Sequence, residues 1–405
     1  MDFNPRHPSL SQVSMIYLDH NATTPPHPEV VELTQRLWRD AFANPGSRHA
    51  FGRRARQILE TARESFASLL GAFPDEVVFT SGGTEANNMA VLGFTRGTPG
   101  HIGLTAGEHP AVLETCRWLE TQGFSLAHLP VDNDGLLEPE GYAVGGEFPW
   151  SDCRLVSVIL AHNETGVIQN LTRLAEICAS RRIPFHVDGL QAVGKIPVNF
   201  HALGASTLAI GAHKFQGLRG AGALLVRRGW NLAPTAFGGH QEAERRPGTE
   251  AVPLIAGMVR ALELCHADRE ARMDRQRRLR DRLEEGLRDR CPPVLLNGAR
   301  TERLPNTVNL AFPGVDGEAL LVALDLAGVA CSLGSACSSG ASEPAPVLIS
   351  MKKPRNVLLS SVRFSLGADT TTEEIDAAIR VISEIVLRLR RMSGEPEQLA
   401  VTSSA

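Results

Sequence analysis

Lysine is close to missing from this chain. Four of its 405 residues are lysine, at positions 195, 214, 352 and 353, against 37 arginines. Where a cation need only be positive, the chain uses arginine, whose guanidinium does not become a free amine and cannot form a Schiff base. Each remaining lysine is therefore a candidate for chemistry that needs an amine. Lys352 and Lys353 stand side by side and read as solvated charges, and Lys195, in VGKIPV, reads as a surface charge. Lys214 is left.

Cysteine is sparse too. The seven lie at 116, 153, 178, 265, 291, 331 and 337, with no CxxC; the closest pair, Cys331 and Cys337, encloses five residues. That pattern suggests neither a disulfide framework nor a thiolate zinc site. A thiol with a task here is a nucleophile rather than a staple. No apolar run reaches the roughly 18 residues of a membrane span. The start, MDFNPRHPSLSQVSM, lacks a cationic head followed by an apolar stretch, so no secretory signal is expected. A net charge of −4 argues against a protein built chiefly to hold nucleic acid or an acidic membrane. The expectation is a cytoplasmic protein with neither as a partner.

What is present describes a globular chain, 43% apolar and 21% charged, able to bury a large core. Its length predicts two or three domains at roughly 100–200 residues each. Short β-branched or apolar runs at 77–80, 102–105, 155–160, 184–187, 207–210 and 222–226 alternate with helical patterns such as 53–70 and 171–180. This predicts an α/β layered fold with a mainly parallel sheet, whose ligand chemistry gathers beyond the carboxyl ends of the strands. A charged helix follows from about 253 to 290, and its segment 268–290 holds nine arginines and seven acids. A solvated helix laced by i,i+4 ion pairs and linking two domains fits it better than a nucleic-acid stripe. After Cys291-Pro292-Pro293 a second, smaller α/β pattern begins. The predicted division is a large domain over 17–265 and a small one over 266–392, with segment 1–16 packed on the small one and 393–405 a disordered tail.

The chemistry-bearing residues fall in loops after strands. PFHVDGLQAVGK delivers Asp188 at a strand end with Gln191 in the next turn, and on this segment alone a capping carboxylate explains the acid equally well. Lys214 follows a second strand 26 residues on, with His213 beside it. An acid and a lysine at neighbouring strand ends suit pyridoxal phosphate (PLP): the amine forms the imine, while the acid pairs with the pyridinium nitrogen. TSGGTEANN, residues 80–88, offers glycines and Thr84 at a helix start, a suitable phosphate cradle, although a glycine turn precedes many helices. His109 in GEHPAV could stack on a cofactor ring or be only a surface polar group. Asn163 in AHNETG could bond a phenolic oxygen, and Arg363 on the strand SSVRFS calls for an anionic partner such as a substrate carboxylate.

Taken together, YLDHNATTP, NPGSRHAFGR, TSGGTEANN, EHPAV, HNETG, HVDGLQAVGK, HK with its glycine loop, RPGT, GSACSSGASEP and VRFSLG stand in the order seen in cysteine desulfurases. The chain resembles that family, PLP enzymes of the class V aminotransferase group, over about residues 17–370. The form GSAC resembles the NifS- and IscS-type members. The resemblance implies a type I PLP-transferase fold and a homodimer. It implies that Lys214 carries PLP, Asp188 pairs with the ring nitrogen, Gln191 contacts the phenolic oxygen and His109 stacks on the ring. Gly83, Thr84 and His213 would hold the phosphate, together with Thr249 reaching into the neighbouring subunit's site. Asn44, Asn163 and Arg363 would hold the substrate, L-cysteine, with Asn163 near the ring oxygen. Cys337 would receive the sulfur as a persulfide and pass it to an acceptor such as an iron–sulfur scaffold, leaving alanine.

Three positions depart from the family pattern: Gly211 replaces a serine, Asn44-Pro45-Gly46-Ser47 replaces NPSS, and Cys331 stands where a non-thiol is expected. Cys331 reads as a buried small hydrophobe rather than a second sulfur relay. The alternatives are a selenocysteine lyase or ordinary PLP transaminase on the same fold, and an idle scaffold for sulfur-handling partners. Cys337 argues against a transaminase, and Asp188 with Lys214 argues against a scaffold.

Overall fold

Apolar runs of four to seven residues are too short for helices and become strands. The fold is described from a computed structural model over residues 15–138, 148–333 and 344–393. Cys337, the segment before residue 15 and the tail from 394 lie outside the described residues. In chain order, the first strands are β1 (Ile16–Tyr17), β2 (Val77–Thr80), β3 (His101–Thr105), β4 (Ser125–Leu129), β5 (Cys153–Ile159), β6 (Phe185–Asp188), β7 (Thr207–Gly211) and β8 (Gly222–Val226). Seven of these form one sheet in the order β2-β8-β7-β6-β5-β3-β4. Only β8 runs against its neighbours, so the sheet is mainly parallel, as expected. The carboxyl ends of β2, β3, β5, β6 and β7 therefore share one edge.

Helices α1 (Pro28–Asp40), α2 (Ala50–Leu69), α3 (Gly83–Phe94), α4 (Pro110–Glu120), α5 (Thr172–Arg181) and α6 (Val252–Ala267) accompany this sheet. Phe66, Phe185 and Phe200 are among its largest fully buried side chains. Then come α7 (Arg269–Arg290), β9 (Leu295–Asn297), β10 (Thr307–Ala311), α8 (Gly317–Leu326), β11 (Val329–Ala330), α9 (Pro346–Ser350), α10 (Arg355–Leu358), β12 (Ser361–Ser365) and α11 (Thr372–Met392). Strands β12-β10-β9 make an antiparallel sheet. A second apolar cluster there joins Leu283 and Leu287 of α7, Phe364 of β12 and Ile382 of α11. Ile16 and Leu18 belong to this cluster, because β1 pairs in parallel with β11. The chain thus enters beside its own carboxyl-terminal part before building the large sheet. Among the described residues no helix is long and apolar enough to cross a membrane.

The charged helical stretch differs from its sequence reading. It is two helices broken at Asp268, and four polar side chains of α7 (Arg272, Gln276, Arg280 and Glu284) are buried rather than solvated. Arg272 donates to the carbonyls of Gly194 and Cys265, Arg280 to that of Leu304, and Glu284 pairs with the buried Arg303. A pattern of alternating charges cannot tell an arginine paired with solvent-facing acids from one spending its donors on buried carbonyls.

Close backbone approach brings α3 to the shared edge. A Cβ on Gly222 would sit 2.6 Å from Gly82 Cα and 2.7 Å from the Ile210 carbonyl oxygen, both rigid backbone. Gly222→Ala should lower stability by about 1–3 kcal/mol through overpacking. The urea midpoint of the purified variant measures this, and an unchanged midpoint contradicts the stated contact.

Candidate active site

Four strand ends and the middle of a fifth strand deliver the candidate residues. Asp188 closes β6; Lys214 ends the short turn after β7; Asn163 and His109 follow β5 and β3; Arg363 comes across from β12. With Gln191, these six line one cavity of about 190 Å³, which Asn21 and Ala22 also line. A larger groove of about 970 Å³ runs between α8 and α11, and none of the candidate residues lines it. Cavity size alone would have misplaced the site.

Asp188 is buried and held at both oxygens. Oδ1 accepts from the Leu190 amide at 3.0 Å and Oδ2 from Asn87 Nδ2 at 2.8 Å. The bond to the Leu190 amide braces the turn after β6, where no helix begins, so the carboxylate is not the helix cap weighed from sequence. Asn87 is itself aligned by His186 (2.9 Å), whose other ring nitrogen meets Thr207 Oγ1 at 2.9 Å. Burial pushes the His186 pKa down to about 4, so the ring is neutral near pH 7. His109 caps α4 and accepts the Ala111 amide hydrogen at Nδ1, 3.0 Å away, so a neutral ring carries its proton on Nε2. Burial also lowers its pKa.

Lys214 donates from Nζ to the carbonyl oxygens of Asn21 (2.7 Å) and Ala22 (2.9 Å). Burial first, then the charge on Arg363, brings its pKa down to about 8, with Asp188, Asp19 and Glu164 pulling the other way. An ordinary lysine stands near 10.4. Arg363 shows the opposite balance. Burial opposes its charge, but Glu164 at 2.7 Å and Asp19 at 2.6 Å hold its pKa above the usual value. Its Nε has no partner among the described residues and is buried.

The phosphate candidates sit at the same edge. Helix α3 begins at Gly82 with no side chain capping it, which leaves the amides of its first turn free for an anion. Gly83 is buried and Thr84 exposed, while His213 touches Thr23 Oγ1 at 3.2 Å and has its pKa lowered by burial to about 4. Asn44 and Thr249 are exposed and do not line the cavity; the Asn44 side chain accepts from the Gly46 amide instead. Cys116, Cys153, Cys178, Cys265 and Cys291 are buried. Cys331 is only partly buried, packed against the second apolar cluster rather than inside it, and desolvation pushes its thiol up to about 12.

One reading is corrected outright. Lys195 is not a surface charge but is buried, its Nζ 2.7 Å from Asn21 Oδ1 and 2.5 Å from Gln191 Oε1. The sequence reading also passed over Asn21, Asn87, Asp19 and Glu164. The available signal for Lys195 was its place four residues after Gln191 in a turn. For Asn21 it was the polar run LDHNATTP directly after an apolar pair.

The model of the aminotransferase class-V family matches residues 16–378. A protein of Dictyoglomus turgidum called cysteine desulfurase IscS is 43% identical over 381 residues, 93% of this chain and 96% of that one. A cysteine desulfurase of Trichormus azollae is 44% identical over 386 residues, 94% of this chain and 95% of its own. Among solved structures, a NifS-like protein superposes with a TM-score of 0.85 at 32% identity, covering 93% of this chain and 100% of that one. The NifS-like protein from Rickettsia africae gives 0.82 at 33% identity, over 92% and 99%. A family model over nearly the whole chain, relatives above 40% identity at matched length and the same fold agree: the chain belongs to the class V aminotransferase family, among its cysteine desulfurases.

Proposed function

We propose that this chain takes sulfur from L-cysteine onto the Cys337 thiol, giving L-alanine and a Cys337 persulfide, with PLP held in the cavity between Asp188 and Lys214. The transfer balances: the substrate C–S bond breaks, an S–S bond to Cys337 forms, and a proton replaces sulfur on the β-carbon. The observation that carries the reading is the convergence of a buried carboxylate, a half-buried amine with a pKa lowered to about 8 and an uncapped helix start on one sheet edge. That donor set fits PLP: an acid for the ring nitrogen, an amine for the aldehyde and free amides for the phosphate. When bound, PLP supplies an electron sink for charge left at the substrate Cα.

The chain's own groups then divide the work. Asp188, aligned by Asn87 and the Leu190 amide, keeps a proton on the ring nitrogen. His109 would lie against the cofactor ring, and Gln191 and Asn163 would donate to its oxygen. Arg363 is fixed in orientation by Asp19 and Glu164 and turns its remaining donors to the substrate carboxylate, with Asn163; Asn44, which lies outside this cavity, takes no part in it. Lys214 would take the Cα proton and return one, while the Asn21 and Ala22 carbonyls hold its nitrogen in place. Gly83, Thr84 and His213 hold the phosphate, with Thr249 of a second copy completing a homodimer. The persulfide then leaves with a sulfur acceptor, such as an iron–sulfur scaffold.

Incubation with L-cysteine and a reductant tests the activity, scoring alanine and sulfide together. Equal amounts of both are expected; turnover of selenocysteine alone would favour the lyase reading. Capture of PLP by the apoprotein needs the neutral Lys214 amine. Its rate should therefore rise with pH through about 8 and level off above, followed by the growth of visible absorbance. A rate still climbing steeply at pH 10 would mean an unperturbed lysine. Asp188→Asn should keep PLP yet lose about a hundredfold or more in turnover, because a neutral amide cannot hold the ring-nitrogen proton by charge. Cys337→Ala should bind PLP and L-cysteine but release almost no alanine. In the wild type, mass spectrometry after one turnover should find the extra sulfur on Cys337; sulfur first on Cys331 would overturn that assignment.

A further inference from the structure

A lysine buried beside an active site without an acid is a costly arrangement. Lys195 is 7% exposed, and among the described residues its amine meets two amide oxygens and no carboxylate. Gly194, at φ +80°, turns the chain there, and a Cβ on it would lie 2.4 Å from Phe215 Cβ. The backbone just before Lys195 thus packs directly against Phe215, the residue that follows Lys214.

Hydrogen-bond accounting shows what the amine does. The main-chain oxygen of Asn21 can only accept, and Gln191 Nε2 donates to it at 2.9 Å. The Gln191 amide must then turn Oε1 the other way, where Lys195 Nζ donates to it at 2.5 Å. Asn21 Nδ2 donates to the Asn163 carbonyl (3.0 Å) and Thr307 Oγ1 (2.9 Å), so Asn21 also faces Lys195 with an oxygen. Both partners of Lys195 are acceptors, and an amine offers the two required N–H groups whether or not it carries a third proton. One N–H of Gln191 is left, on a residue that lines the cavity.

We propose that Lys195 is a positioning residue that locks the Gln191 amide so that the cavity meets an N–H donor and not an oxygen. The inference rests on the reading above that Gln191 faces the ring oxygen of PLP. Burial pushes the Lys195 pKa well below the ordinary lysine range, helped by the charges on Lys214 and Arg363. Without Lys195, Gln191 Oε1 is a buried acceptor with no donor, and only the single Nε2 bond to the Asn21 oxygen opposes a rotation of the amide toward another donor. The N–H offered to the cavity is lost with that rotation.

The test compares wild type, Lys195→Met, Gln191→Leu and the double variant. The measurements are PLP affinity by titration of apoprotein, the wavelength of the bound cofactor's visible band, and the unfolding midpoint of the apoprotein. Each single variant is expected to bind PLP about tenfold more weakly, the loss of one hydrogen bond to a charged oxygen. The band of Lys195→Met should move to that of Gln191→Leu, and the double variant should be no worse than Gln191→Leu alone. Gln191→Glu keeps the Lys195 contact, as an ion pair, but offers the cavity no N–H; it should shift the band in the same way and guards against a Lys195 variant that fails to fold. Additive losses, or an unshifted band in Lys195→Met and Gln191→Glu, would overturn the proposal. A wild type that takes up no PLP would overturn the cofactor reading as well, a result distinct from any pattern among the variants.

Discussion

The site hangs on Asn21. This residue is 1% exposed, so each of its polar groups must find a protein partner or cost about 1–3 kcal/mol. Its amide nitrogen donates to Ser365 and its side-chain nitrogen to Asn163 and Thr307. Its main-chain oxygen takes Gln191 and Lys214, and its side-chain oxygen takes Lys195 and Asn306. Gln191, Lys195 and Lys214 come from the large sheet; Ser365, Asn306 and Thr307 come from the carboxyl-terminal part. One buried asparagine therefore ties the amine-bearing loops to the strands that bring Arg363. Pulling the two parts aside would strand several buried donors together, which makes the junction cooperative.

Electrostatics at the site follow from unequal pairing. Arg363 is buried with two carboxylates and stays charged, because Glu164 and Asp19 outweigh desolvation. Lys195 is buried and Lys214 half-buried, both against carbonyl and amide oxygens, so desolvation and neighbouring cations bring their pKa values down. The same cavity thus holds a permanent cation for binding anions and an amine able to lose its proton near neutral pH. Guanidinium and ammonium are not exchangeable in these places. That is the physical content of a sequence that spends arginine freely and lysine almost nowhere.

Much of the frame was legible in advance. Strands 77–80 and 222–226 have the expected bounds, because both are buried apolar runs framed by turn residues. The strand predicted at 184–187 is displaced by one residue, to Phe185–Asp188, and ends on Asp188 itself. The long charged helix was misread in character. Its periodic charges satisfy a solvated helix and a buried one equally, and only the neighbouring carbonyls of Gly194, Cys265 and Leu304 decide between them.

By itself the sequence determined which side chains carry reactive groups and which strand ends they follow, since both depend on residue type and local periodicity. It marked Lys214 by scarcity, and Asp188, Asn163 and His109 by their places after apolar runs. Tertiary structure decided the company they keep. Asn21 meets Asn306 and Thr307 from nearly three hundred residues away, and Arg363 meets Asp19 across almost the whole chain. Burial and pairing are properties of such contacts and leave no local pattern. Lys195 therefore read as a surface charge in the sequence and became, in the fold, a buried amine beneath the site.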